Sequence, residues 1–173
     1  HTTDKTNFPD STYHTIILDE LAGSGWRAAD FAYDGAALTG YSESGEAKRK
    51  TISRLVLPSK TSDGTIITEI ADNAFAVPDS ETTWDRDGYV SPYGMEEITF
   101  PSGLVSIGKS AFVRHNLTGL ENLPATLTSI GSHAFAYNKL LVVTMPNSVD
   151  TLGEAVFTSN VLQSVTLSTA LTV

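Results

Sequence analysis

Apolar residues recur along the second half of the chain in the same order about every 22 residues. The clearest unit spans 95–112, and its order of apolar residues returns over 117–135 and 140–157. A shorter copy starts at Leu162, and an expanded copy lies upstream over 52–75. A fixed period of this length is typical of repeat proteins, in which each unit stacks on its neighbours. In the clearest unit the order runs Met95, Ile98, Phe100-Pro101, Leu104, Ile107-Gly108 and Ala111-Phe112.

Within each unit, apolar residues alternate with threonine over a short stretch. Ile98 and Phe100 flank Thr99, and Val143 and Met145 flank Thr144. A period of two predicts a strand with its apolar side chains inward and its threonines facing solvent. A proline, which cannot donate a ladder hydrogen bond, should end the pairing after each strand, at positions 58, 101, 124 and 146.

The rest of each unit predicts a second corner and a closed core. A glycine follows a buried aliphatic residue at positions 108, 131 and 153, and we expect these glycines in turns with positive φ. One phenylalanine per unit, at 112, 135 and 157, predicts a stack of rings opposite the first strand. Asn138 and Asn160 are expected to bond backbone groups between units, and His115 takes this place one unit earlier.

One unit is irregular. Between Leu120 and Pro124, Glu121-Asn122 supplies one residue more than the neighbouring strands contain. An extra residue in a paired strand predicts a β-bulge at this point.

The first 50 residues lack the repeat. Asp34-Gly35 lies between 26–33 and 36–41 and predicts a two-residue hairpin turn. Ser44, good helix formers and the basic residues 48–50 predict a short helix with Ser44 as its N-cap. The segment 16–21 fits a strand or a helical turn equally. We therefore divide the chain into a leader or cap-associated segment 1–25, an N-terminal cap 26–51 and roughly four and a half repeats over 52–173, the last truncated.

The stretch from Asn138 to Phe157 reads Asn-x-Leu-x-x-Val-x-Met-Pro-x-x-Val-x-x-Leu-Gly-x-x-Val-Phe. This pattern resembles the BspA-like leucine-rich repeats of bacterial cell-surface proteins. The region 31–58 looks like the cap that precedes such repeats in surface proteins of Gram-positive bacteria. The resemblance implies a curved leucine-rich-repeat solenoid, mainly β with short helical turns and an N-terminal β-hairpin and helix cap. It also implies an extracellular or surface-borne module of a longer multidomain chain. It does not imply a catalysed reaction.

Composition narrows the classes of partner. The chain has 11 basic and 20 acidic residues, a net charge of -9, which disfavours nucleic acids and anionic membranes. No apolar run is long enough to span a bilayer. The absence of cysteine excludes disulfides, thiolate metal sites and cysteine nucleophiles. The four histidines lack metal-ligand spacing, and no Gly-x-Ser-x-Gly elbow occurs, so we predict no metal, no cofactor and no enzymatic activity.

Two surfaces are candidates for partner binding. Residues 61–100 carry one basic and nine acidic residues, and this window contains the insertion 77–94. Insertions in repeat proteins form loops that often bind partners, and the candidates here are Trp84, Asp85, Asp87, Tyr89 and Tyr93. The outward residues of the main strands form the predicted concave face, namely Glu96, Glu97, Thr99, Leu141, Thr144, Gln163, Ser164 and Thr166.

These features favour two functional hypotheses. The first is a noncatalytic recognition or adhesion module, secreted or surface-borne, that binds a host protein or a glycan through these two surfaces. The second is a rigid spacer that positions the ligand-binding domains of a larger surface receptor. The small, neutral side chains of the predicted concave face suit both hypotheses equally.

Overall fold

Each repeat unit contributes short strands that pair in parallel with equivalent strands of other units. The computed structural model describes residues 21, 23–85, 88–120 and 122–171. Within these ranges Leu21 is helical, and the further helical elements are the α-helix α1 (Glu43–Lys48) and two 3-10 turns, Ala28–Asp30 and Asp79–Glu81; no helix there is long and apolar enough to cross a membrane. The strands are β1 (Phe31–Asp34), β2 (Ala37–Tyr41), β3 (Arg54–Val56), β4 (Glu69–Ile70), β5 (Thr83–Asp85), β6 (Gly88–Val90), β7 (Glu97–Thr99), β8 (Ser106–Ile107), β9 (Ser129–Ile130), β10 (Val142–Thr144), β11 (Thr151–Leu152) and β12 (Ser164–Thr166).

The longest sheet links the N-terminal hairpin to four repeat units. Its strand order is β1-β2-β4-β8-β9-β11, antiparallel only between β1 and β2. Leu38 pairs with Ile70, Ile70 with Ile107, and Ile107 with Ile130, and all four side chains are buried. The repeat pattern places Ile70, Ile107 and Ile130 at one position of the period, but it does not predict their two-residue strands β4, β8 and β9.

Strands β7 and β10 carry the alternation that the sequence predicts, whereas β3 buries both Leu55 and Val56 and all three residues of β12 are exposed. In β3 and β7, Leu55 pairs with Ile98 and both are buried. In β10, Val143 is buried, and the flanking Thr144 is exposed. Strands β3, β7 and β10 each end within two residues of a proline, in agreement with the predicted corners.

The glycines that recur once per unit, Gly108, Gly131 and Gly153, occupy their positions for a different reason from the one expected. None of the three is among the residues with positive φ, so the predicted left-handed turn is wrong. A Cβ on Gly108 would lie 2.5 Å from the backbone nitrogen of Asp72, and one on Gly131 would lie 2.5 Å from that of Lys109. These glycines are therefore required because adjacent units approach too closely there for a side chain.

The predicted phenylalanine stack is confirmed. Phe75, Phe112, Phe135 and Phe157 follow one another with ring centroids 5.5 to 6.1 Å apart. Neighbouring rings are tilted by 8 to 13°, so they stack nearly parallel. Phe100 from the main-strand side meets two of these rings edge-on, and the core is continuous from one unit to the next.

A polar ladder runs beside the phenylalanine stack, also as predicted. The Asn138 side-chain oxygen accepts from the N–H of Leu117 at 3.1 Å, and its amide nitrogen donates to the carbonyl of Phe112 at 2.9 Å. Asn160 makes the equivalent contacts one unit later. His115 makes them one unit earlier, because its Nδ1 accepts from a backbone N–H and its Nε2 faces a backbone carbonyl.

The N-terminal hairpin and helix form with small shifts from the prediction. The turn between β1 and β2 is Gly35-Ala36, with Gly35 at φ 57°, so it lies one residue later than expected. The N-cap of α1 is Ser42, not Ser44, because the Ser42 hydroxyl accepts from Gly45 N–H at 3.3 Å. Ser44 instead donates to the Asp30 carboxylate at 2.9 Å.

Aromatic side chains attach the hairpin to the repeats. Trp26 and Phe31 are buried, and their rings pack against Tyr41. Tyr41 in turn meets Phe75 of the first repeat edge-on at 4.9 Å. The N-terminal elements therefore share one core with the repeats.

Candidate functional site

The sheet of main strands is interrupted at the third unit. Strand β7 pairs with β3, and β10 pairs with β12, in two separate two-stranded sheets. Between them, the described residues of the third unit contribute only an isolated bridge, from Gly119 to Val142. The neighbouring Glu121, on which the predicted bulge falls, lies outside the described residues.

A groove of about 490 Å³ lies at this interruption. Its walls have different chemistry: Leu141 and Val142 are 43% and 51% exposed on one side, and Glu96 and Glu97 lie on the other. Exposed aliphatic side chains beside carboxylates suit a ligand that has both an apolar and a basic part. The remaining lining residues are Arg54, Ile98, Thr99, Thr118, Gly119 and Asn122.

The two carboxylates of the groove differ in their pairing. Oε2 of Glu97 lies 3.4 Å from Nε of Arg54, and both side chains are exposed, so solvent weakens this ion pair. Glu96 is exposed and has no cationic partner among the described residues. The groove therefore carries an excess negative charge at Glu96.

The structure brings together half of the residues predicted on the main-strand surface. Glu96, Glu97, Thr99 and Leu141 line the groove. Thr144, Ser164 and Thr166 are exposed on β10 and β12, with Gln163 directly before β12, and these four lie outside the groove lining.

The insertion 77–94 forms a hairpin of β5 and β6 that follows the 3-10 turn Asp79–Glu81. Trp84 on β5 is 71% exposed, and its ring meets Tyr137 of a later repeat edge-on at 6.4 Å. The Arg114 guanidinium lies 5.7 Å from the Tyr137 ring centroid and 2.6 Å from the Asp79 carboxylate. The tryptophan is thus held against the repeats and still presents most of its surface to solvent.

Buried and half-buried ion pairs tie the insertion to the N-terminal helix. Arg49, 5% exposed, contacts Glu46 at 2.6 Å and Glu81 at 2.7 Å. Lys50 lies over the ring of Tyr93, 5.6 Å from its centroid, and Tyr93 is 38% exposed. The insertion is therefore anchored at its first turn and near its end.

The side chains of the remaining insertion candidates belong to the part of the chain that the structure does not describe. Asp87 and the side chains of Asp85 and Tyr89 lie outside the described residues. Within the part of the chain that is described, no three His, Asp or Glu side chains lie close enough to hold a metal ion.

Sequence reasoning missed six residues of the groove lining. The alternation places Ile98 in the core, and the extra residue predicts that the third unit pairs as a bulged strand. The extra residue between Leu120 and Pro124 was the available signal, because a unit that is one residue longer cannot keep its neighbours' register throughout. The other missed residues are Arg54, Thr118, Gly119, Asn122 and Val142.

Three solved structures share this fold. A leucine-rich repeat protein from Bacteroides capillosus is 24% identical, with a TM-score of 0.55, over 79% of this chain and 97% of that chain. The pneumococcal vaccine antigen PcpA is 22% identical, with a TM-score of 0.54, over 81% of this chain and 36% of that chain. The T. pallidum leucine-rich repeat protein TpLRR is 24% identical, with a TM-score of 0.53, over 81% of this chain and 70% of that chain.

These likenesses define the class: the protein has a leucine-rich-repeat fold. Residues 88–173 match the BspA type leucine rich repeat region in six copies, so this part of the chain belongs to the BspA-type leucine-rich repeats. The resemblance drawn from the sequence is confirmed. No curated protein matches the chain.

Proposed function

We propose that this chain is a noncatalytic recognition module of a bacterial surface or secreted protein, and that it binds a host protein or glycan. The observation that carries this proposal is the groove in the main-strand surface, where Leu141 and Val142 are exposed opposite Glu96 and Glu97. Apolar side chains left in water beside a concave opening are the usual mark of a binding surface. The exposed Trp84 on the insertion supplies a second contact point.

The surface or secreted location rests on the comparisons. The repeats are of the BspA type, and one structural neighbour is named as a pneumococcal vaccine antigen. We propose an extracellular location on these grounds, within a longer chain that carries further domains.

The division of the chain belongs to the same proposal. In it, the segment 26–51 caps a solenoid that spans 52–173, and residues 1–25 are a leader or a cap-associated segment. The pairing of β2 with β4 and the contact of Tyr41 with Phe75 support this role, because they cover the first repeat.

A screen of the full chain against extracellular-matrix proteins, host-cell surface extracts and a glycan array tests the function. For each hit we expect Leu141→Ser and Trp84→Ala to weaken binding several-fold, because each removes an exposed apolar contact. Ile66→Ser is the matched control, since Ile66 is 57% exposed and lies outside the groove lining. Binding that survives both Leu141→Ser and Trp84→Ala would contradict the placement of the surface.

A rigid spacer is the second candidate, and the phenylalanine stack favours it. Four nearly parallel rings from successive units resist bending between units. A spacer predicts silence across the screen while neighbouring domains of the parent protein bind normally. In that outcome, Leu141→Ser and Trp84→Ala should leave the parent protein's binding unchanged.

A further inference from the structure

The interruption of the main-strand sheet leaves part of a strand edge unpaired. Asn116 N–H donates to the carbonyl of Met95 at 2.9 Å, which places the start of the third unit beside the second. Beyond this bond, no backbone hydrogen bond among the described residues joins 117–120 to 96–99. The third unit instead bonds to the fourth, since Leu141 N–H donates to the Thr118 carbonyl at 3.2 Å.

The unpaired groups belong to Ile98. Glu97 N–H donates to Ser53, and the Thr99 carbonyl accepts from Leu57 N–H, so the backbone groups of Glu97 and Thr99 face β3. Residues of a parallel strand bond alternately to the two sides. The N–H and carbonyl of Ile98 therefore face the third unit, where none of the described residues gives them a backbone partner, and Ile98 lines the groove. An unpaired strand edge is a template for hydrogen bonding with an incoming group.

The surroundings of this edge select the charge of the occupant. Glu96 lies on the same wall without a cationic partner, and the chain carries a net charge of -9. The one cation of the lining, Arg54, pairs with Glu97, so the unpaired Glu96 disfavours an anionic ligand, and a wholly apolar ligand would leave the Ile98 carbonyl unpaired. The opposite wall is aliphatic, formed by Leu141 and Val142.

We propose that the groove binds an arginine side chain presented by an extended segment of a partner protein. The guanidinium donates to the Glu96 carboxylate and to the Ile98 carbonyl, while its aliphatic stem packs on Leu141 and Val142. Arginine fits better than lysine because its planar fork of five N–H groups serves two acceptors at once, whereas an ammonium is a compact, strongly hydrated point charge. This inference rests on the proposed function and specifies its ligand.

The test uses the full chain labelled with ¹⁵N and the capped peptide acetyl-Leu-Arg-Leu-amide, followed by amide chemical shifts. We expect saturable shifts at Ile98, Gly119 and Val142. The same peptide with citrulline, the neutral isostere of arginine, should bind about tenfold more weakly, and so should the arginine peptide to Glu96→Gln, because each removes one charge of the pair. Glu154→Gln is the matched control: Glu154 is also exposed, and it lies outside the groove lining.

The outcomes separate this inference from the proposed function. Equal binding of the citrulline and arginine peptides, or shifts that lie elsewhere on the chain, would overturn the arginine site. A silent arginine peptide together with a screen hit that Leu141→Ser abolishes would also overturn it, yet leave the recognition function standing. Silence in both assays would overturn both.

Discussion

His115 makes the stability of this fold sensitive to acid. Its ring is buried at 1% exposure, where Nδ1 accepts from Met95 N–H at 2.9 Å and Nε2 donates to the Phe75 carbonyl at 2.7 Å. This pattern requires the neutral ring with its proton on Nε2. A second proton would point Nδ1–H at the Met95 N–H and place an unpaired charge in the core.

The magnitude follows from the pKa of His115. Burial lowers this pKa from 6.5 to about 4. Because the folded pKa is the lower one, the unfolded chain binds more protons between these two values, and the free energy of unfolding rises with pH across that window. The contribution is fully present above pH 6.5 and is lost as the pH falls to 4, for a total of about 3 kcal/mol.

The assay is urea unfolding of the wild type and of His115→Asn at pH 7 and pH 4.5. Asparagine occupies this ladder position in the next two units, so the variant should fold. The wild type should lose about 2 kcal/mol more than the variant between the two pH values. His133→Asn is the control, because it removes a histidine outside the ladder at φ 60°, a conformation that asparagine tolerates.

A second measurement covers the case in which the variant folds poorly. Titration of the His115 ring by NMR in the wild type should report a pKa well below 6.5. Equal pH dependence in the wild type and a folded His115→Asn, or a ring that titrates at its ordinary value, would refute the buried neutral histidine. The stability that is lost when Asp30 becomes protonated does not interfere with this measurement. Although burial opposes the shift, hydrogen bonds from Lys48, Ser44 and the Arg27 backbone lower the Asp30 pKa, so its loss begins only near the ordinary value of 3.8.

Three further predictions concern the repeat core and are checked by the free energy of unfolding in urea. Gly131→Ala should destabilise the fold by about 2 kcal/mol, because a Cβ would collide with the backbone of the preceding unit. Gly103→Ala should be tolerated, because a Cβ there would lie 3.4 Å from its nearest atom, Cγ2 of Ile66. Asn138→Ala should lower the free energy of unfolding by about 3 kcal/mol, because it leaves buried backbone groups unpaired. Asn147→Ala, at an exposed position, is the control, and equal losses of stability in the two variants would argue against the ladder. Phe135→Ala should cost about 4 kcal/mol by opening a cavity in the middle of the stack, and a loss below about 1 kcal/mol would contradict a close-packed spine.

Features that repeat in the sequence could be predicted, because each copy tests the interpretation of the others. Phe112, Phe135 and Phe157 share one position in the period, and identical side chains at a fixed spacing in stacked units must lie over one another. The asparagine ladder follows in the same way, and so does the substitution of His115 for asparagine.

Features that depend on the distance between units could not be predicted. A glycine at a corner is compatible with positive φ or with close backbone approach, and only the contact between Gly131 and the Lys109 backbone decides for the second. The edge-on contact of Trp84 with Tyr137 joins an insertion to a unit beyond the adjacent one, and no local pattern encodes it.

The third unit shows that a repeat can be irregular on one side without disturbing its core. Its inward residues, Leu117 and Leu120, are as buried as their counterparts in the other units, and the phenylalanine stack passes through it unbroken. The irregularity falls instead on the outward edge, where Ile98 has no backbone partner among the described residues of the third unit and Leu141 and Val142 remain exposed. In general, an extra residue on the outward side of a strand costs a few exposed hydrogen bonds, whereas the same insertion on the inward side would shift the whole apolar pattern to the wrong face. The main-strand surface is thus the place where this fold tolerates irregularity, and it is also where we propose that a partner reaches the backbone.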